Sequence, residues 1–265
     1  MDLTVNLDGA SICVPVKDAT LIRQALLGIT DPRAAVQSLV TDSVPAPTLA
    51  NARGALNTLT NVADPNDRVI LYITSHGVKN QNGDVILLME DTPLSVDDQG
   101  LVQVKDGLSL RELVTYVKSW RCREVIVMID ACHSGDTKLF SDEELAHLFG
   151  KTGQNVYIIC SSSDRQPSYV WQSQGISLFT FFLSAGLRGG ADSDHDAAVS
   201  ADELFAFVAR YVNAKAMSLK TGKEPPQHPV RFVGGDGQNV PRFDLQPYPL
   251  ETGIDQLATT IVHLL

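Results

Sequence analysis

The sequence predicts an α/β protein built on a mostly parallel sheet with helices packed on both faces. Short apolar, β-branched runs recur along the chain with amphipathic stretches between them. Two of those runs, 69–74 (VILYIT) and 125–129 (VIVMI), are apolar without alternation, as strands covered on both faces must be. Apolar residues make up 44% of the 265, enough to fill the core that such a sheet needs.

The elements follow in chain order. A helical pattern covers 19–27, and a β-branched run at 35–40 reads as a strand. Residues 49–62 repeat apolar positions at three and four, as a helix does. The buried strand 69–74 comes next, then a strand at 85–89. Helix 110–120 has the clearest stripe, with Leu110, Leu113, Val114, Val117 and Trp120 on one face and Ser109 with Glu112 as a capping box. Strands 125–129 and 156–160 flank a helix start marked by Ser141 and Glu144. Helices are expected at 175–187 and 201–217, the second opened by Ser200 and Glu203. A polar stretch with prolines, 220–227, precedes PVRFVGG, an edge strand whose Pro229 stands where a missing donor is tolerated. The tail 250–265 reads as one more helix. With no internal repeat and no long linker, residues 1–248 form one domain and 249–265 a helical tail packed on it.

Charge and cysteine usage narrow the function. The 21 basic and 31 acidic side chains leave a net charge of −10, and no basic cluster stands out, so neither nucleic acid nor an anionic membrane is expected as a partner. No apolar stretch approaches the roughly 18 residues of a membrane span, and MDLTVNLDGAS has neither a basic nor a long apolar run. Cys13, Cys122, Cys132 and Cys160 are spaced for neither a disulfide framework nor a zinc site. The expectation is a soluble cytoplasmic protein with no metal or cofactor. The short proline-started edge strand favours a monomer.

Two strand ends carry chemistry. RVILYIT runs into Ser75, His76 and Gly77, and EVIVMI runs into Asp130, Ala131, Cys132, His133, Ser134 and Gly135. In open α/β sheets the carboxyl ends of central strands form the ligand crevice, so a histidine and a cysteine are expected to emerge on the same edge. A thiol of ordinary pKa needs a nearby imidazole to present a thiolate, which makes the two a candidate base and nucleophile. His133 is assigned to packing or to a helix cap. The other three cysteines read as small apolar filler.

A strand ending in SHG, followed 56 residues later by a strand ending in DACHSG, resembles the caspase-like cysteine peptidases, and among them the prokaryotic caspase-like proteins and metacaspases more than the animal caspases. The resemblance extends from about residue 16 to 240, through VKDA, ICSSSDRQPSYV and GISLFTFFL. It implies a caspase-like three-layer sandwich with a central sheet of about six strands. It also implies a cysteine endopeptidase with Cys132 as nucleophile, His76 as the imidazole that protonates the leaving amine, and the N–H groups of Gly77 and Cys132 as the oxyanion hole.

The same resemblance places Asp130, two residues before the nucleophile, in a pocket for arginine and then lysine, with Asp18 as a second acidic wall and Ser161 lining it. The substrates implied are proteins or peptides with a basic residue before the scissile bond. From the residues alone, Asp18 equally suits an N-cap before Ala19, and Asp130 a strand-end turn. The polar stretch 136–154, with Lys138 and Lys151, suits self-cleavage.

The family's paired aspartates between the two motifs are matched only loosely by Asp97 and Asp98. Asp192, Asp194, Asp196, Ser200 and Glu203 have the spacing of a calcium loop with Ala197 in place of its glycine, which reads as a degenerate, empty loop. Other readings of the whole chain are a catalytically silent caspase-fold interaction module and a clan relative of clostripain or legumain type.

Overall fold

The computed structural model describes residues 14–29, 45–97, 102–133, 142–150, 154–162, 166, 168–219, 226–234 and 240–245. The chain opens with helix α1 (Val14–Ile29) and helix α2 (Leu49–Val62). Strand β1 (Arg68–Lys79) turns back into β2 (Val85–Leu87), and β3 (Leu94–Val96) pairs with β4 (Val102–Val104) as a separate hairpin. Strand β5 (Leu108–Ser109), helix α3 (Leu110–Ser119), strand β6 (Glu124–His133), helix α4 (Asp142–Phe149) and strand β7 (Asn155–Cys160) follow. A small hairpin, β8 (Val170–Trp171) and β9 (Ile176–Ser177), leads into helix α5 (Leu178–Ala185), which ends in a π turn at Gly186–Gly190. Strand β10 (Ala198–Ser200), helix α6 (Ala201–Leu219), strand β11 (Val230–Gly234) and strand β12 (Arg242–Asp244) complete the described chain.

Six strands form the central sheet in the order β11-β7-β6-β1-β2-β5. The middle three, β7, β6 and β1, are parallel, and β5 runs the same way; β11 and β2 run against them. The continuous apolar runs have the expected cause. On β6, Ile126 and Met128 pack with α1, α5 and α6, while Val125, Val127 and Ile129 pack with α2, α3 and α4. A strand with a hydrophobic layer on each side has no polar face to alternate with. No helix among the described residues is long and apolar enough to cross a membrane.

The differences from expectation have local causes. Strand 69–74 runs on to Lys79, because Gly77, Val78 and Lys79 pair antiparallel with Leu87, Ile86 and Val85 around a turn that holds Gly83 at φ +81°. Helix 19–27 begins earlier, at Val14, so Asp18 lies inside it and not at its cap. The helix expected from 175 starts at Leu178, since Gly175 sits at φ +63° and Ile176–Ser177 is extended. Ser109 accepts from the Glu112 N–H at 3.0 Å, and Ser200 and Glu203 cap one another in both directions. PVRFVGG is the edge strand β11, entered one residue after Pro229. The run 35–40, the Ser141 cap, Asp98, Lys138, Lys151 and the tail 250–265 lie outside the described residues.

Candidate active site

Strands β1 and β6 bring the two motifs together. Their parallel register pairs Thr74 with Asp130, Ser75 with Ala131, His76 with Cys132 and Gly77 with His133. Neighbouring strands lie about 4.8 Å apart, so residues 56 apart in sequence stand side by side at the carboxyl end of the sheet. Beyond this point β1 leaves β6 and takes up β2, and the backbone is clamped there. The Leu88 N–H donates to the His76 carbonyl at 2.9 Å, and the Ser75 hydroxyl donates to the Leu88 carbonyl at 2.5 Å. Gly77 is buried within this junction. By the alternation of a strand, His76 shares its face with Tyr72 and Thr74, the face covered by α1, α5 and α6. His76 is half-buried, and that burial lowers its pKa, which leaves a neutral imidazole able to accept a proton at pH 7.

Asp18 and Asp130 meet below this pair. Asp18 is 1% exposed and Asp130 2%, and the charge of Asp130 acts on Asp18. Burial first, and then the charge of Asp130, push the Asp18 carboxyl up to about 8, against a 3.0 Å hydrogen bond from the Ser177 N–H to Oδ1. Burial also raises Asp130, opposed by surrounding hydroxyls. Ser168 donates to its Oδ1 at 3.1 Å and Thr180 to its Oδ2 at 2.9 Å. The Thr180 proton is thus committed, so Tyr72 must be the donor in its 2.6 Å bond with Thr180, and burial with the two carboxylates keeps the phenol protonated.

Three buried oxygens in the same cluster, Asp18 Oδ2, Ser161 Oγ and Ser177 Oγ, have no hydrogen-bond partner. The two serine hydroxyls face Asp130 without reaching full hydrogen-bond geometry. No cation among the described residues pairs with either carboxylate. Two acids, with unfilled acceptors beside them, form a receptor for a group with several N–H donors.

The resemblance pointed to Asp18, Asp130 and Ser161, while Tyr72, Ser168, Ser177, Thr180 and Gln227 were missed. Only Thr180 left a trace, as a hydroxyl in the otherwise apolar run LFTFF. Gln227 is fully buried and donates to the Ser161 carbonyl at 2.8 Å.

Two further charged clusters lie away from this site. The side-chain oxygens of Asp192, Asp194 and Asp196 fall within 4.8 Å of one another. They accept from the N–H groups of Asp196, Ala197 and Ala198, Arg242 pairs with Asp196, and Glu203 accepts from Ser193 and Ser200. Ala197, at the glycine position of a calcium loop, sits at φ +65°. Asp97 instead accepts from the Gln103 amide at 2.8 Å. The expectation that no basic cluster exists is corrected at 118–123, KSWRCR, where three basic residues already stand close in sequence. Lys118, Arg121 and Arg123 line one depression beside the start of β6, because the C-terminus of α3 and the following turn curl around it.

Comparison with known proteins agrees with this architecture. The family model described as the caspase domain matches residues 14–233. The crystal structure of protein GSU0716 from Geobacter sulfurreducens is 17% identical and superposes with a TM-score of 0.54, over 86% of this chain and 87% of that one, a likeness of fold. No curated protein matches the chain.

Proposed function

This chain belongs to the caspase-domain family of cysteine peptidases, and from that premise we propose that it is an endopeptidase which cuts after arginine, and less well after lysine, with Cys132 and His76 as its reacting pair. One observation carries the reading. On the same two strands, the register step Thr74 with Asp130 is followed two residues later by His76 with Cys132, so a buried acidic receptor adjoins the histidine and cysteine positions.

In this mechanism the neutral imidazole of His76 takes the Cys132 thiol proton, and the thiolate attacks the carbonyl carbon after the basic residue. The backbone N–H groups of Gly77 and Cys132 hold the oxyanion, the kind of contact whose loss costs about 2.7 to 4 kcal/mol. Imidazolium then protonates the leaving amine, the C–N bond breaks, and water hydrolyses the thioester. Meanwhile the guanidinium spans Asp18 and Asp130, supplying the donors that Asp18 Oδ2, Ser161 Oγ and Ser177 Oγ lack. Lysine, with three donors on a point charge, fills fewer of them.

Fluorogenic peptides ending in Arg, Lys and Asp test the reading. The Arg peptide is expected to be cut fastest, and Cys132→Ala to abolish cleavage. At pH 7 iodoacetamide should label Cys132 in the native protein and, in His76→Ala, label it more slowly. Cys122, its thiol pushed up to about 11 by burial, serves as the unlabelled internal control. Fastest cleavage of the Asp peptide would overturn the specificity, and no cleavage or labelling at all would leave a silent module.

A further inference from the structure

Gln227 reaches the acidic pocket from the segment between α6 and β11, far in sequence from both motifs, and its amide can sit only one way round. Its Oε1 accepts from the Tyr169 N–H at 2.8 Å. Its Nε2 donates to the Ser161 carbonyl at 2.8 Å and to Ser168 Oγ at 3.2 Å. Flipping the amide would set N–H against N–H and carbonyl against carbonyl in a fully buried place, at the cost of two bonds. Because the amide nitrogen has only protons to offer, Ser168 Oγ accepts from it. The serine's own proton is donated to Asp130 Oδ1, 3.1 Å away. A directed relay therefore runs from Gln227 through Ser168 to one oxygen of Asp130, while Tyr72 and Thr180 form a second relay to the other.

We propose that Gln227 is a positioning residue for substrate specificity: through Ser168 it locks the Asp130 carboxylate in the plane that a basic side chain meets, and through the Ser161 carbonyl it holds the opposite wall at the matching distance. The proposal rests on the basic specificity argued above and extends it to residues outside both motifs. Two donors on its two oxygens fix the rotation of Asp130 about its terminal bond. Asp18, with one oxygen bonded and one free, is left to adjust to the ligand. A planar guanidinium needs a carboxylate plane fixed in advance, since bidentate bonding is lost on rotation. The Gln227 side chain bonds Tyr169, Ser161 and Ser168 and reaches Asp130 only through Ser168, so its effect falls on substrate affinity and not on the chemical step.

Steady-state kinetics on an Arg peptide, with wild type, Ser168→Ala, Ser168→Thr and Gln227→Leu, test this. Ser168→Ala should raise KM about tenfold with kcat within about twofold, a size typical of one lost charge-assisted hydrogen bond. Ser168→Thr, which keeps the hydroxyl, should restore KM. Gln227→Leu should match Ser168→Ala, and where it fails to fold the serine pair decides alone. A KM for Ser168→Ala within twofold of wild type, or a kcat that falls in step with any rise in KM, overturns the proposal while basic specificity stands. Wild-type enzyme that prefers the Asp peptide overturns the specificity reading and this proposal together.

Discussion

A carboxyl group buried at Asp18 beside a second at Asp130 cannot keep both negative charges when no cation among the described residues pairs with them. The folded protein holds a proton on Asp18 up to about pH 8, whereas the unfolded chain releases it near 3.8. Between those values the native state binds more protons than the unfolded one, so stability falls as pH rises. Thermal unfolding followed from pH 4 to 8 should show a steeper decline for wild type than for Asp18→Asn, which has no such proton to lose; parallel curves would mean that Asp18 is ionised throughout. The same proton competes with a basic ligand, so KM for the Arg peptide should improve as pH approaches 8. His76 works in the opposite sense: burial lowers its pKa, so just below its ordinary value of 6.5 the unfolded chain binds more protons than the native state and stability rises with pH.

At the level of elements, the caps and the strand junction are separable from the chemistry. Ser109 ends β5 and starts α3 by accepting the Glu112 N–H. Glu112 in turn receives Arg53 from α2 at 2.7 Å, which ties the two helices together. Ser109→Ala should cost about 1 kcal/mol in urea unfolding and leave peptide cleavage unaltered, since α3 lies on the sheet face away from the acidic pocket. These caps were legible because a capping box depends on residues three apart. The span of β1 was not, because its last residues belong to a hairpin with β2 that hydropathy does not distinguish from a loop. The start of α1 was not legible either, and so Asp18 suited an N-cap as well as a pocket wall: the first turn of α1, VPVK, has little helical periodicity of its own, and the helix is defined by what it packs against.

Across the whole molecule, two hydrophobic layers hold one sheet, and only one of them borders the site. Leu113 is fully buried in the layer formed with α2, α3 and α4. Leu113→Ala should therefore lower stability by about 2 to 5 kcal/mol while KM for the Arg peptide stays at the wild-type value. The sequence by itself determined the doubly covered sheet and the strand ends that carry His76 and Cys132, because strand pattern and motif are written in residues close together along the chain; Asp18, Asp130 and Ser161 were pointed to by the resemblance to the caspase-like peptidases. Tertiary structure alone decided that Asp18 and Asp130 lie close together without a cation among the described residues, and that Ser168, Thr180 and Gln227 aim Asp130. Those contacts join residues dozens to more than a hundred positions apart, and their energies come from burial and hydrogen-bond direction, which exist only once the chain has folded.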